Sequence, residues 1–235
     1  MSLIPALLLG FIPSFIWLYF FIREDEAHPE PKSLIIYTFI AGALVTFFVL
    51  GPQMFLSNFF ADFGTTQYGF VPLFVLSLVE EVFKFLAVYF LVSRTRDFDE
   101  PLDAMIYMIV VALGFAAVEN VASILNGENG STISAMGISL LSLRFIGATL
   151  LHSVSSAFVG YYWGLAMLQK SGFKLMIIEG IGVATLLHAI FNHLIIVYGP
   201  ESLVATALLV AAAFFLLNDF EILKKYDTEP PTKTL

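Results

Sequence analysis

The sequence predicts an all-α, polytopic membrane protein: about seven transmembrane helices forming one bundle with a polar cavity. Three observations predict it. Of 235 residues, 59% are hydrophobic and 13% charged, where a soluble domain carries roughly 25% charged residues. Apolar runs of about 20 residues recur, each long enough to cross a hydrocarbon core ~30 Å thick. Most Lys and Arg residues fall in alternate connections between those runs. The short alternating segments of a membrane β-barrel are not seen.

The first run, 3–22, has no basic n-region and no small-residue cleavage site, so it reads as a retained span rather than a signal peptide. Further spans follow at 33–51, 70–92, 102–125, 139–168, 174–197 and 202–220. Pro52, Pro101 and Pro200 stand at or near the breaks, where proline ends helices. The fifth span is long, so it tilts or begins outside the bilayer. Residues 1–220 form the bundle, and 221–235 form a cytoplasmic tail.

Basic residues test this map. Arg23 and Lys32 lie in the first connection, Arg94 and Arg96 in the third. Lys170 and Lys174 lie in or bound the fifth, and Lys224, Lys225 and Lys233 lie at the C-terminus. The second, fourth and sixth connections carry none. The positive-inside rule then places the N-terminus outside and the C-terminus in the cytoplasm. The connections are short, so function belongs to the bundle or its rim. The chain has no cysteine, which removes disulfides, thiolate metal sites and cysteine nucleophiles. The net charge of −8 says little about partners, since many of the acids lie in "REDEAHPEP" and the tail, where solvated acids are ordinary. No basic stripe suggests nucleic acid as a partner; the bilayer is the partner that composition does imply.

Lys84 and Arg144 fall inside spans. Ionisable residues there are costly and are functional candidates by default. The third span carries Glu80, Glu81 and Lys84, the fourth Glu119 and Asn120, the fifth Arg144 and His152, the sixth His188, Asn192 and His193. At ~1.5 Å per residue, Glu80 lies about 15 Å and Glu119 roughly 9 Å from the outer ends of their spans. His152 and His188 fall at comparable depth, so one shared polar cavity is expected. Lys84 is spaced to pair with either Glu80 or Glu81. Arg144 is read as snorkelling to the interface or pairing with an acid. Gly160 and Gly164, with Ser153, Ser156 and Ala157 above them, are read as close helix packing. Asp103, behind Pro101, is read as helix-start chemistry.

Carboxylates, histidines and an asparagine around such a cavity suit water activation. A desolvated glutamate is a candidate general base, and Asn or His can donate to a developing oxyanion. That combination points to hydrolysis of an amide bond within or beside the bilayer. "HAIFNH" is not HExxH, so the usual zincin arrangement is missing; a zinc site built from Glu and His stays open.

The ordered set "EEVFK" (80–84), "GFAAVEN" (114–120), His152 with Arg144 before it, and "HAIFNH" (188–193) resembles the PrsW family of intramembrane proteases. So do "HPEP" (28–31) and "DEPLD" (99–103). The resemblance covers about 23–197. It extends to a wider group that includes the CAAX prenyl endopeptidases and the scaffold subunit of the presenilin protease complex. It implies a glutamate-dependent protease, with no cofactor required on the favoured reading and zinc on the alternative. Glu80 or Glu81 would activate water, Glu80 being favoured, with the other carboxylate and Lys84 setting its charge. His188 and Asn192 would stabilise the oxyanion. Where the CAAX pattern has F-x-x-x-H, this chain has Phe115-x-x-x-Glu119, so Glu119 would replace the histidine and His152 take its part. The implied substrate is a membrane-anchored protein resembling an anti-sigma factor. Two other classes compete: a non-catalytic membrane scaffold, and a proton-coupled transporter, against which the sequence shows no internal repeat.

Overall fold

The computed structural model describes residues 3–24, 28–66, 68–126, 145–169, 172–199 and 202–228. Arg144 and the start of the expected fifth span lie outside the described residues. Seven α-helices are described: α1 Leu3–Phe21, α2 Lys32–Asp62, α3 Phe70–Leu91, α4 Pro101–Leu125, α5 Leu150–Gln169, α6 Phe173–Tyr198 and α7 Leu203–Thr228. A π-helical turn, Phe145–Thr149, leads into α5. No strand occurs among the described residues. Five helices, α1, α2, α4, α6 and α7, are long and apolar enough to cross a membrane. The third, α3, carries Glu80, Glu81 and Lys84 in every 18-residue window, and α5 carries His152 and three serines. Both helices outside that set thus carry candidate chemistry.

The bundle is built around α4. Every residue from Leu102 to Ala117 is buried, and α1, α2, α3, α5 and α7 all pack against this helix. A helix apolar on all sides belongs at the centre of a bundle. The outer helices turn Phe47, Phe48, Phe55 and Phe214 outwards, which suits a lipid surround. Against α4, α5 approaches most closely at Gly160 and Gly164. A Cβ at Gly160 would stand 2.5 Å from the Ala104 carbonyl oxygen, and one at Gly164 equally close to that of Pro101. Only hydrogen fits there, as the small-residue reading expects.

Two boundaries differ from the sequence reading. α2 does not stop at Pro52 but continues through it to Asp62. Proline removes one N–H and clashes with the preceding turn, yet that is one lost bond in a helix of 31 residues, and Gly51 beside it offers no side chain to crowd the kink. α7 likewise continues past residue 220, to Thr228. Lys224 on this extension lies 2.7 Å from Glu24 Oε2.

Asp103 does start a helix. Its Oδ2 accepts the N–H of Asp99 at 2.9 Å and of Glu100 at 2.8 Å, a reciprocal capping arrangement behind Pro101 at N1. The neighbouring "HPEP" segment docks on the same end. His28 Nδ1 lies 3.1 Å from Glu100 Oε1, and the buried Tyr107 hydroxyl donates to Glu30 Oε2.

Candidate active site

Four helices bring their polar residues to one point. On α3, Glu80, Glu81 and Lys84 all face inwards, and Lys84 is fully buried. The adjacent glutamates, turned ~100° apart by helix geometry, meet different surroundings.

Glu81 is saturated. Its Oε1 receives Lys84 Nζ at 2.9 Å and Ser155 Oγ at 3.2 Å, with His188 Nδ1 at 3.1 Å. Its Oε2 receives Ser156 Oγ at 2.7 Å. Four donors on two oxygens is the pattern of an acceptor-only carboxylate. Glu80 is half satisfied. Gln53 of α2 donates to its Oε1 at 2.8 Å, while its Oε2 is buried with no hydrogen-bond partner. That free oxygen stands 3.7 Å from His188 Nε2, 4.0 Å from His152 Nδ1 and 4.0 Å from Lys84 Nζ.

The histidines are oriented by their partners. His152 Nδ1 is 2.9 Å from Lys84 Nζ, and its Nε2 is 2.5 Å from Glu119 Oε2. A lysine ammonium only donates, so Nδ1 accepts and Nε2 carries the hydrogen towards Glu119. His188 gives its Nδ1–H to Glu81, which leaves Nε2 facing Glu80. The two rings meet edge to face at 4.9 Å. Phe115, four residues before Glu119, lies under Lys84 Nζ, 4.6 Å from its ring centre, a cation–π contact in a desolvated setting. Among these groups Glu119 is the most accessible, its side chain 35% exposed against 9% for Glu80.

The groups expected at one depth do meet: Glu80, Glu81, Lys84, Glu119, His152 and His188 are joined by direct contacts. Lys84, spaced for either carboxylate, pairs closely with Glu81. Of the remaining expected residues, Asn120 and His193 stand apart. Asn120 donates to Thr149 Oγ1 at 3.0 Å and to the Gly10 carbonyl at 3.3 Å. It ties the π turn and α1 to α4 rather than touching the glutamates. Asn192 lies one turn beyond His188 and is half-buried. His193 points elsewhere, edge-on to Phe70 at 5.9 Å.

Sequence reasoning missed Gln53, because the helix was expected to end two residues before it, at 51. It read Ser156 as packing and passed over Ser155; a serine pair one turn beyond an intramembrane histidine was the available signal. It also passed over Glu179 and Asp219, acids within α6 and α7 in the halves away from the cluster.

Membrane-length helices around three carboxylates, two histidines and a buried lysine define a multi-pass membrane protein with acid–base machinery in its interior. The chain belongs to the PrsW family: the profile described as PrsW family intramembrane metalloprotease matches residues 30–218. It is 29% identical over 196 residues to the protease PrsW of Geobacillus kaustophilus, covering 83% of this chain and 80% of that one. To the protease PrsW of Halalkalibacterium halodurans it is 26% identical over 193 residues, 81% and 83% of the two chains. To that of Bacillus subtilis it is 23% identical over 188 residues, 79% and 80%. No solved structure matches the chain. Membership makes it a membrane-embedded peptidase of that family.

The family description raises the question of a metal. Glu80, His152 and His188 each offer one ligand atom within 4.8 Å of the others, a spacing a metal ion could bridge. Two of the three donors face the shared space, Glu80 Oε2 and His188 Nε2. The third does not, since His152 has Lys84 on Nδ1 and Glu119 on Nε2. In this arrangement the donor set is one ligand short and has an ammonium beside it, so the residues as placed do not fit a metal.

Proposed function

We propose that the protein is an endopeptidase that hydrolyses a peptide bond of a membrane-anchored protein with a water activated by Glu80. One observation carries this: Glu80 Oε2 is buried without a donor and faces His188 Nε2 at 3.7 Å. A buried carboxylate oxygen with a free lone pair, close to Lys84 and two histidines, is suited to take a proton from water. Glu81 cannot share that task while four donors hold it.

The step is as follows. Glu80 takes a proton from water as the water oxygen bonds to the scissile carbonyl carbon. The carbonyl oxygen becomes an oxyanion; Asn192, and His188 in the form that carries a proton on Nε2 as well as Nδ1, supply hydrogen bonds to it. The C–N bond then breaks, and the proton passes from Glu80 to the leaving amine nitrogen. Glu81 accepts from His188 Nδ1 and supports positive charge on that ring, a role a carboxylate plays beside a catalytic histidine. Gln53 holds the other oxygen of Glu80, so that Oε2 is the one aimed inwards.

On the positive-inside reading the basic connections are cytoplasmic, which puts the N-terminus outside and the C-terminus in the cytoplasm; the cluster lies in the opposite half of the bundle, so cutting occurs near the outer face. Resemblance supports a substrate of the anti-sigma-factor type. The test is cleavage of a transmembrane peptide library by purified protein in lipid nanodiscs. Glu80→Gln is expected to lower kcat by about 10²–10⁴. Unchanged cleavage by Glu80→Gln, Glu81→Gln and His188→Ala would sink the proposal; failure to cut any peptide would favour the scaffold. A zinc-dependent version of the same protease is the second reading, favoured by the spacing of Glu80, His152 and His188.

A further inference from the structure

The three-donor cage and Lys84 cannot be read separately. Zinc bonds of ~2.0–2.1 Å in a tetrahedron put ligand atoms about 3.4 Å apart. Glu80 Oε2 lies 3.7 Å from His188 Nε2 and 4.0 Å from His152 Nδ1. These two edges exceed metal spacing by about 0.3 and 0.6 Å, and all three ligand atoms lie within 4.8 Å of one another. Yet Lys84 Nζ stands 2.9 Å from the very nitrogen the cage needs, and 4.0 Å from the free oxygen of Glu80.

Nothing about this lysine is incidental. It is fully buried, anchored on Glu81 at 2.9 Å and seated over the Phe115 ring. A long cationic side chain is rarely buried whole without a partner set of this kind. Its ammonium makes with His152 Nδ1, as a hydrogen bond, the contact a metal would make as a bond.

We propose that Lys84 is a resident cation occupying the place of a metal. It supplies the positive charge that orients His152 and holds Glu81 as an anion, and it closes the Glu80/His152/His188 cage to divalent ions. This rests on the glutamate-and-water reading above and deepens it. It departs from the description of the family as metalloproteases. One consequence is chemical: an ammonium is not an open Lewis acid, so carbonyl polarisation falls to hydrogen-bond donors. The other is structural: removing the lysine head should create a metal site where none is expected.

The experiment measures metal directly, apart from proteolysis. Wild-type protein purified without chelator from zinc-replete cells is assayed for zinc by element analysis. It is then titrated in nanodiscs with cobalt(II), whose visible d–d absorption is intense in tetrahedral sites. Zinc far below one per chain and no cobalt band are expected. Lys84→Ala and Lys84→Met, the second keeping the apolar stem volume, should each gain a cobalt band at one ion per chain. The band should vanish in Lys84→Met combined with His188→Ala. If either variant folds poorly, its thermal unfolding is followed with and without cobalt, and the metal should raise its midpoint. Stoichiometric zinc in the wild type, or Lys84 variants that bind no metal in either measurement, overturns the proposal. A metal-free wild type that cuts no peptide leaves the assignment of Lys84 standing and removes the protease reading instead.

Discussion

At one end of the bundle, Glu80, Glu81, Glu119, Lys84, His152 and His188 share a buried space. At the other, Asp103, Tyr107, Glu30, Glu100 and His28 lock the "HPEP" segment onto the start of α4. Both sets are acidic and partly buried, and both come from motifs that carry the family resemblance. They differ in how acceptors are matched to donors. At the α4 start, Asp103 Oδ2 is filled by two backbone N–H groups and Glu30 by a phenol. These are neutral donors with fixed directions, suited to closing a loop. In the glutamate cluster a lysine and a histidine join two serines and Gln53 as donors; an unpartnered buried carboxylate oxygen occurs at both ends, Glu80 Oε2 here and Glu100 Oε2 at the α4 start. A buried group without a partner costs roughly 1–3 kcal/mol. Glu80 and Glu81 show the contrast within two residues: the saturated carboxylate holds the site together, and the half-satisfied one is available for chemistry.

Substitutions can break or sharpen that contrast. The largest effect is expected at Glu80. Glu80→Gln should abolish most turnover while the unfolding midpoint in micelles stays near wild type, because Glu80 has a single hydrogen-bond donor. Next comes Glu81→Leu, which strands Lys84 and one His188 nitrogen. Breaking a buried pair from one side costs about 3–5 kcal/mol, so unfolding in micelles should shift strongly and expression should fall. A smaller effect is expected at the opposite end. Tyr107→Phe leaves Glu30 without its phenol and should cost about 1–3 kcal/mol; cleavage per folded molecule should not change. If it does fall, the two ends are not independent and the comparison fails. Smallest is Asn120→Ala. Hydrogen bonds between membrane helices average about 0.6 kcal/mol, so stability should hardly move. The π turn would lose its tie to α4, however, and π turns often shape functional sites. A drop in kcat with unchanged KM would mark Asn120 as a positioning residue for His152.

Much of this was legible in the sequence. Seven helices, their order and the shared depth of Glu80, Glu119, His152 and His188 followed from hydropathy and spacing, because the bilayer forbids nearly every other arrangement. What hydropathy could not show was partner choice. Spacing allowed Lys84 either glutamate, and only the serines and His188 on facing helices decide for Glu81. The continuation of α2 was hidden by Pro52, whose local penalty is outweighed by the long apolar helix on both sides of it. Gln53 was lost with it. Asn120 and His193 looked like members of the cluster because they adjoin Glu119 and the His188 motif; a turn of ~100° per residue sends each to a different neighbour.

The glycine seam between α4 and α5 has one more consequence. With backbone against backbone at Gly160 and Gly164, those two helices cannot slide or part without losing their closest packing, and they carry Glu119 and His152. The other half of the machinery rides on α3 and α6. The seam fixes Glu119 and His152 relative to each other, so their contact belongs to the scaffold and is in place before any substrate arrives.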